Sequence, residues 1–122
     1  MRSLVESPNV ATWIAEAGSR MVGFAIANWA RGANGMEAYV QTLEVLPEGR
    51  RCGAGRDLLA RVEASAQAAG AARIGLHVEA SNVAAICLYE ACGYVCKGWQ
   101  KGYYGRQRAA LIYGKALSPS GE

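Results

Sequence analysis

The chain has 122 residues, of which 52% are hydrophobic and 19% charged, and its formal net charge is +3. This length suits one domain around one core, and no apolar run approaches the ~18 residues of a membrane span. The first residues hold no apolar segment long enough for a secretory signal, and the basic residues form no dense tract typical of nucleic-acid-binding proteins. We therefore predict one cytoplasmic domain over residues 1–122, without membrane or nucleic-acid partners.

The cysteines indicate free thiols and no metal site. Cys52, Cys87, Cys92 and Cys96 contain no CxxC pair, and the chain has a single histidine. A structural zinc site would need an unusual ligand set with this spacing. We expect no bound metal.

The first half of the chain predicts three strands after a short N-terminal segment, residues 1–9. "VATWIAEAG" and "SRMVGFAIANWA" form a hairpin that turns at residues 18–19, and "ARGANG" is a loop. "MEAYVQTLEVL" is the third strand, ended by Pro47. Strict alternation along it predicts one face made of Tyr39, Gln41, Leu43 and Val45, and an opposite face made of Val40, Thr42 and Glu44.

The second half alternates helices and strands. Residues 55–69 have helical spacing and end at Gly70, and "ARIGLHVEA" is a strand with His77 and Glu79 on its less apolar face. A second helix begins at the N-cap candidate Asn82 and ends at Gly93. Two more strands surround the connection at residues 102–107, and residues 118–122 are a frayed tail. This order predicts an α/β or α+β fold with a mixed sheet.

A glycine-rich turn, "RRCGAGRDLL", starts the first helix. The first amides of a helix have no partner within it, and the helix dipole adds about half a positive charge there. Such a turn can hold a diphosphate if no Cβ keeps the phosphates away. The spacing matches neither a Rossmann fingerprint nor a P-loop, so these residues alone leave a structural turn and a phosphate site both open.

The run "LEVLPEGRRCGAGRDLLARVEASAQAAGAARIGLHVEASNVAAICLYEACGYV" resembles the acetyl-CoA-binding core of the GNAT superfamily of N-acetyltransferases. Within it "EASNVAAICLYEACGY", and later "KGYY", are most similar to bacterial N-terminal acetyltransferases of the ribosomal-protein-alanine type. The resemblance implies a mixed, mostly antiparallel sheet with a central splay and helices on both faces. It also implies that residues 1–122 form one acetyltransferase domain.

The resemblance implies an acetyl-CoA site in two parts. The strand residues Leu43, Glu44 and Val45 would pair with the pantetheine arm, and an amide near Val45 would polarise the thioester oxygen. The signature turn would bind the diphosphate through Arg50, Arg51, Cys52, Gly53, Ala54, Gly55 and Arg56. Asn82 occupies a position whose counterpart in the family contacts the cofactor.

Acyl transfer needs a neutral amine and a proton for the leaving thiolate. Tyr89 matches the tyrosine acid of the family, although a core tyrosine is the other interpretation. The subgroup has a glutamate where this chain has His77, and a neutral imidazole is a competent base near pH 7. Glu79 and Glu44 are rival bases, and a reaction without a dedicated base stays open.

The acceptor side also departs from the family pattern. Tyr103 and Tyr104 match tyrosines that line the peptide entrance in the subgroup, although exposed turn aromatics are an equal interpretation. The family's N-terminal strand and helices are expected to be missing, and in relatives those helices form one wall of the acceptor site. Exposure of Trp13, Phe24, Trp29 or Trp99 would then favour a homodimer, which a light-scattering mass would test.

The sequence therefore predicts an acetyl-CoA-dependent N-acetyltransferase that acts on a polypeptide N-terminal α-amine by direct attack on the thioester. An α-amine (pKa ~8) is far more often neutral at pH 7 than a lysine amine (~10.4), so a weak base suffices. A small-molecule amine as the acceptor, and a non-catalytic CoA-binding module, are the alternatives.

Overall fold

The structure is a computed structural model, and it describes residues 1–33, 35–47, 53–101 and 109–117. The strands and helices follow one another as β1 (Arg2–Ser7), β2 (Val10–Ala17), β3 (Arg20–Gly32), β4 (Gly35–Val45), α1 (Ala54–Ala68), β5 (Arg73–Glu79), α2 (Val83–Ala91), β6 (Val95–Gln100) and β7 (Ala110–Ala116). The predicted hairpin, both helices and the strand that carries His77 are confirmed. The loop predicted at "ARGANG" is shorter than expected, because β3 continues through Gly32 and β4 begins at Gly35.

The strands form one sheet in the order β1-β2-β3-β4-β5-β7-β6. Every neighbouring pair is antiparallel except β4 and β5, which are parallel. These two strands pair only from Glu37–Arg73 to Tyr39–Gly75, and after Tyr39 they diverge. The predicted mixed, mostly antiparallel sheet with a central splay is therefore confirmed.

The first nine residues contain a strand, which the sequence interpretation had expected to be missing. β1 pairs with β2 across a turn at Pro8 and Asn9. The Trp29 amide donates to the Asn9 carbonyl oxygen at 3.0 Å, and the Trp29 indole donates to the Pro8 carbonyl oxygen at 3.1 Å. The sequence of β1, RSLVES, does not alternate strictly between apolar and polar residues, so its pairing with β2 decides its structure. The described residues 1–33 contain no helix.

Both helices of the described residues pack on the same face of the sheet, whereas helices on both faces were predicted. The Lys115 ammonium on β7 donates to the Glu63 carboxylate on α1 at 2.9 Å and to the Cys92 carbonyl oxygen after α2 at 2.8 Å. The reason is topological, because β4-α1-β5 and β5-α2-β6 connect parallel strands and step in the same direction. Right-handed crossovers then place both helices on one side. The opposite side is here called the open face.

A bulge in β4 changes which side chains share a face. Ile26 pairs with Thr42 but Ala27 pairs with Val40, so Gln41 is an extra residue in β4. Tyr39 therefore lies on the open face with Thr42 and Glu44, while Val40, Leu43 and Val45 pack towards the helices. The predicted alternation was wrong here, because one inserted residue exchanges the two faces beyond it.

The core lies between the helices and the sheet and is centred on Leu58, Leu59, Val62, Ile74 and Leu76, each at most 2% exposed. Trp13, which is partly buried, and Trp29, which is buried, pack on this side of the sheet. The Trp13 indole donates to the Ser65 hydroxyl at 3.0 Å, and Trp29 is 8% exposed. Trp99 on the edge strand β6 is 63% exposed. The homodimer stays a prediction, for which Trp99 is the exposed tryptophan.

A polar network crosses the helix side of the sheet. Glu63 accepts the Tyr94 hydroxyl at 2.8 Å on one oxygen and the Lys115 ammonium at 2.9 Å on the other. Burial of Tyr94, followed by its contact with the Glu63 carboxylate, raises the pKa of the Tyr94 hydroxyl far above its ordinary value. The folded chain therefore keeps this proton at a pH where the unfolded chain has released it.

We expect this hydroxyl to make the protein less stable in alkali. Below pH ~10 the Tyr94 hydroxyl contributes fully to the free energy of unfolding. Above that pH the free energy of unfolding falls by about 1.4 kcal/mol per pH unit, because ionisation of the tyrosine stabilises the unfolded state. Thermal unfolding of wild type and Tyr94→Phe from about pH 8 to about pH 11 measures this. The variant should lose stability less steeply, and parallel curves would contradict the assignment.

Candidate functional site

The divergence of β4 and β5 opens a gap of ≈ 320 Å³, here called the strand gap. Most of the predicted site residues that are described line it, namely Leu43, Glu44, His77, Glu79, Asn82 and Tyr89. The strands supply the first four and α2 supplies the last two. Residues separated by up to 46 positions in the sequence therefore meet because two parallel strands separate beside the end of a helix.

The start of α1 lies beyond the end of β4. Gly53 is its N-cap at φ 82°, in the left-handed region, and no side chain caps the helix. The first-turn amides of Ala54, Gly55 and Arg56 consequently have no intrahelical acceptor. Apart from its chain neighbours, no atom of the described residues lies within 4 Å of the position where a Cβ on Gly53 would stand.

The two glycines of this turn have different roles. Gly53 adopts a backbone conformation that L-residues rarely take. Gly55 allows close packing, because a Cβ there would approach the Leu88 side chain to 3.0 Å and that of Val45 to 3.6 Å. The sequence interpretation gave one reason for both, namely access of phosphate to the backbone, and packing is the reason seen at Gly55. Arg50, Arg51 and Cys52, which were predicted to bind the cofactor, lie outside the described residues.

Asn82 and Tyr89 are positioned by α2 as predicted. The Asn82 side-chain oxygen accepts a hydrogen bond from the Ala85 amide at 3.2 Å, which confirms it as the N-cap. Tyr89 follows two turns later and is 7% exposed. Its ring lies 5.9 Å from the ring of Tyr94, centroid to centroid. Tyr89 thus combines a mostly buried ring with a place on the wall of the strand gap.

His77 has a partner that sequence reasoning missed. The Tyr39 hydroxyl and the His77 Nδ1 atom are 2.8 Å apart, and their ring centroids are 5.6 Å apart. Tyr39 faces His77 because β4 and β5 still pair at Tyr39–Gly75, one residue before the bulge region begins. A tyrosine in the β4 strand was visible in the sequence, but its face depended on the register.

This contact gives the Nδ1 atom of the imidazole a hydrogen-bond partner. If Nδ1 carries the proton and donates to the Tyr39 oxygen, Nε2 bears the lone pair and can accept a proton. If the tyrosine donates instead, Nε2 carries the proton. Either way the hydroxyl orients the ring at the wall of the strand gap, where Glu44 and Glu79 also lie. All three predicted candidates for the base therefore line the same gap.

Other predicted features can be placed only in part. Tyr103 and Tyr104 lie outside the described residues. Within the described ranges, no three His, Cys, Asp or Glu side chains cluster closely enough to hold a metal ion. Neither of the described helices has the length and apolar character that crossing a bilayer requires.

Comparisons with known proteins agree with this geometry. The family described as "Acetyltransferase (GNAT) family" matches residues 1–94. The [ribosomal protein bS18]-alanine N-acetyltransferase of Escherichia coli (strain K12) is 36% identical over 80 residues, which are 62% of this chain and 54% of that protein. The chain thus spans about half the length of the curated relatives it matches.

Solved structures extend the similarity to most of the chain. The ribosomal-protein-S18-alanine N-acetyltransferase from Escherichia coli superposes with a TM-score of 0.77 at 29% identity, covering 96% of this chain and 75% of that one. A protein of Bacillus anthracis str. Ames, solved in complex with acetyl coenzyme A, gives a TM-score of 0.82 at 26% identity. That match covers 93% of this chain and 66% of the other.

Proposed function

This chain belongs to the acetyltransferase (GNAT) family, and on that premise we propose that it transfers the acetyl group of acetyl-CoA to a primary amine, with a polypeptide N-terminal α-amine as the acceptor. One observation carries the proposal. The strand gap brings an imidazole, oriented by a tyrosine hydroxyl, and a second tyrosine to one place between two diverging strands. These groups can supply the two proton transfers that acyl transfer to an amine requires.

The described residues fit acetyl-CoA at both ends of the gap. The uncapped first turn of α1 offers amides to the diphosphate, and the open space over Gly53 lets phosphate approach the backbone. The exposed Arg56 adds positive charge in the same turn. Leu43, Glu44 and Val45 are the proposed pairing edge for the pantetheine arm. When bound, acetyl-CoA supplies the acetyl group as a thioester whose carbonyl carbon is the electrophile.

The side chains of the gap divide the proton transfers between them. We assign to His77 the proton that leaves the acceptor nitrogen, taken directly or through water, with Tyr39 holding the ring. Tyr89 donates its hydroxyl proton to the leaving sulfur. The role of the amide near Val45 at the thioester oxygen stays a prediction.

Two observations support a polypeptide acceptor. The described residues place no helix over the open face, so a chain can reach the gap from that side. A curated relative that matches 62% of this chain is itself an N-acetyltransferase of a ribosomal protein. An α-amine also needs only a weak base, because about a tenth of it is neutral near pH 7.

Acceptor profiling tests the proposed function. The protein is incubated with acetyl-CoA and one of three acceptor sets: peptides beginning with Ala or Ser, the same peptides with a blocked N-terminus and one lysine, and small amines. Release of CoA and the mass of the product are recorded. Acetylation of the free N-terminus is expected. Activity confined to small amines would show that the acceptor is a small molecule and not a polypeptide N-terminus. Absence of turnover with every amine would favour a CoA-binding module.

Replacing Gly53 by Ala is expected to weaken acetyl-CoA binding and to reduce stability. The left-handed conformation costs an alanine about 1 kcal/mol, and the new methyl group projects into the space proposed for the diphosphate. Gly70→Ala is a matched control, since Gly70 at the other end of α1 has φ 95° and similarly open space. Both variants should unfold at a lower temperature than wild type, but only Gly53→Ala should raise the KM for acetyl-CoA. An equal KM for acetyl-CoA in both variants would contradict a diphosphate site at Gly53.

A further inference from the structure

Three strands place two glycines and Tyr39 in one row across the open face. Tyr39 pairs with Gly75, and Gly75 pairs with Gly114. Neither glycine has a side chain, so the surface of the sheet forms a shallow groove along this row. On one side the next row is His77 and Ile112, and on the other it is Arg73 and Ala116. The row is here called the glycine trench.

The trench lies within a depression of ≈ 1100 Å³ on the open face. Tyr39 lines this depression and His77 lines the strand gap, and the two side chains are in contact at 2.8 Å. The trench therefore begins where the proposed base is held. An acceptor whose amine reaches the gap past this contact can continue along the trench without leaving the sheet surface.

Lys97 lies at the far end. A Cβ on Gly114 would stand 3.4 Å from Lys97 Cε and 3.5 Å from Cγ, so the lysine stem covers the last glycine. No hydrogen bond or ion pair joins the Lys97 ammonium to any other residue in the described ranges. Arg73 and Glu37 also border the depression, but they form an ion pair with 3.9 Å between Nε and the carboxylate oxygen, so Lys97 supplies the charge at this end. The end of the trench is positively charged.

The length of the trench sets which acceptor residue meets Lys97. From β4 to β7 there are two strand spacings, about 10 Å, and an extended chain advances about 3.3 Å per residue. Lys97 is thus about three residues from the acetylated amine. We propose that the glycine trench binds the acceptor polypeptide in an extended conformation, and that Lys97 selects acceptors with acidic side chains near their third and fourth residues. This inference rests on the proposed function, since it assigns the acceptor of that same site.

The test compares two otherwise identical peptides that begin with Ala-Ser and carry Glu-Glu or Lys-Lys at positions three and four. The enzymes are wild type, Lys97→Glu, the control Lys101→Glu, and Gly75→Val. Lys101 is an exposed lysine just past β6 that does not border the depression. Apart from its chain neighbours, the one atom of the described residues within 4 Å of a Cβ on Gly75 is the Tyr113 carbonyl oxygen, at 3.5 Å. This is an ordinary contact, so Gly75→Val fills the trench without a clash at that atom.

Two readouts are taken: kcat/KM for each peptide, and binding of the fluorescein-labelled peptides by anisotropy. Wild type should prefer the Glu-Glu peptide by about fivefold, the size expected of an exposed ion pair. Lys97→Glu should reverse the preference and Lys101→Glu should keep it. Gly75→Val should weaken binding of both peptides and leave the KM for acetyl-CoA unchanged.

The outcomes separate this inference from the proposed function. Turnover of both peptides with equal efficiency by wild type and Lys97→Glu would overturn the trench and leave the acetyltransferase intact. Without any turnover, charge-selective peptide binding that Lys97→Glu reverses would support the trench alone, and its absence would overturn it. If Gly75→Val converts a dimer to a monomer by light scattering without changing peptide binding, a second copy occupies the trench and the inference is wrong.

Discussion

Tyr89→Phe is expected to lower kcat by about 10²- to 10⁴-fold, the range by which general acids contribute to catalysis. The side chain lies at the wall of the strand gap, and its ring is mostly buried. Phenylalanine keeps the ring and removes only the hydroxyl that we assign to the leaving sulfur. The KM for acetyl-CoA should therefore change little, because the lost interaction belongs to the transition state. Steady-state kinetics with an N-terminal peptide measures both parameters.

Tyr94→Phe is the matched control for that result. Tyr94 follows α2, its ring lies beside that of Tyr89, and its hydroxyl donates to Glu63 on the helix side of the sheet. Removing it should cost stability and leave kcat nearly unchanged. A Tyr89→Phe enzyme with wild-type kcat would make Tyr89 a core residue, which is the other interpretation that its sequence position allowed.

His77→Ala is expected to lower kcat by about 10²-fold or more, because the acceptor would lose its general base. Tyr39→Phe should cost less, about fivefold, which corresponds to one lost hydrogen bond of about 1 kcal/mol. Because Tyr39 acts through the ring it orients, the double variant should be no slower than His77→Ala. The kinetics of the four proteins form a double-mutant cycle whose coupling term measures the 2.8 Å contact.

Glu79→Gln and Glu44→Gln complete this test, since both carboxylates line the same gap. Each should retain more activity than His77→Ala. A larger loss in either variant would transfer the role of base to that carboxylate. If the two losses in the Tyr39–His77 cycle were additive, the tyrosine would not be acting through the imidazole, and its role would be independent.

Much of the two described helices and of β5 was predictable because it depends on local rules. Gly70 and Gly93 end their helices with positive φ, and Asn82 starts α2 through its own side chain. These are interactions within a few residues, so they can be inferred from adjacent letters. The alternation of Ile74, Leu76 and Val78 likewise predicted which face of β5 carries His77.

The open face of the sheet was less predictable because it depends on pairing between distant strands. The sequence alone determined the order of the elements from β2 onward, the two helix starts and the residue types available for proton transfer. Only the tertiary structure decided that Gln41 is bulged, that both described helices share a face, and that Tyr39 meets His77. Register and crossover side are properties of the assembled sheet, and a shift of one residue exchanges its faces without any change in the local pattern.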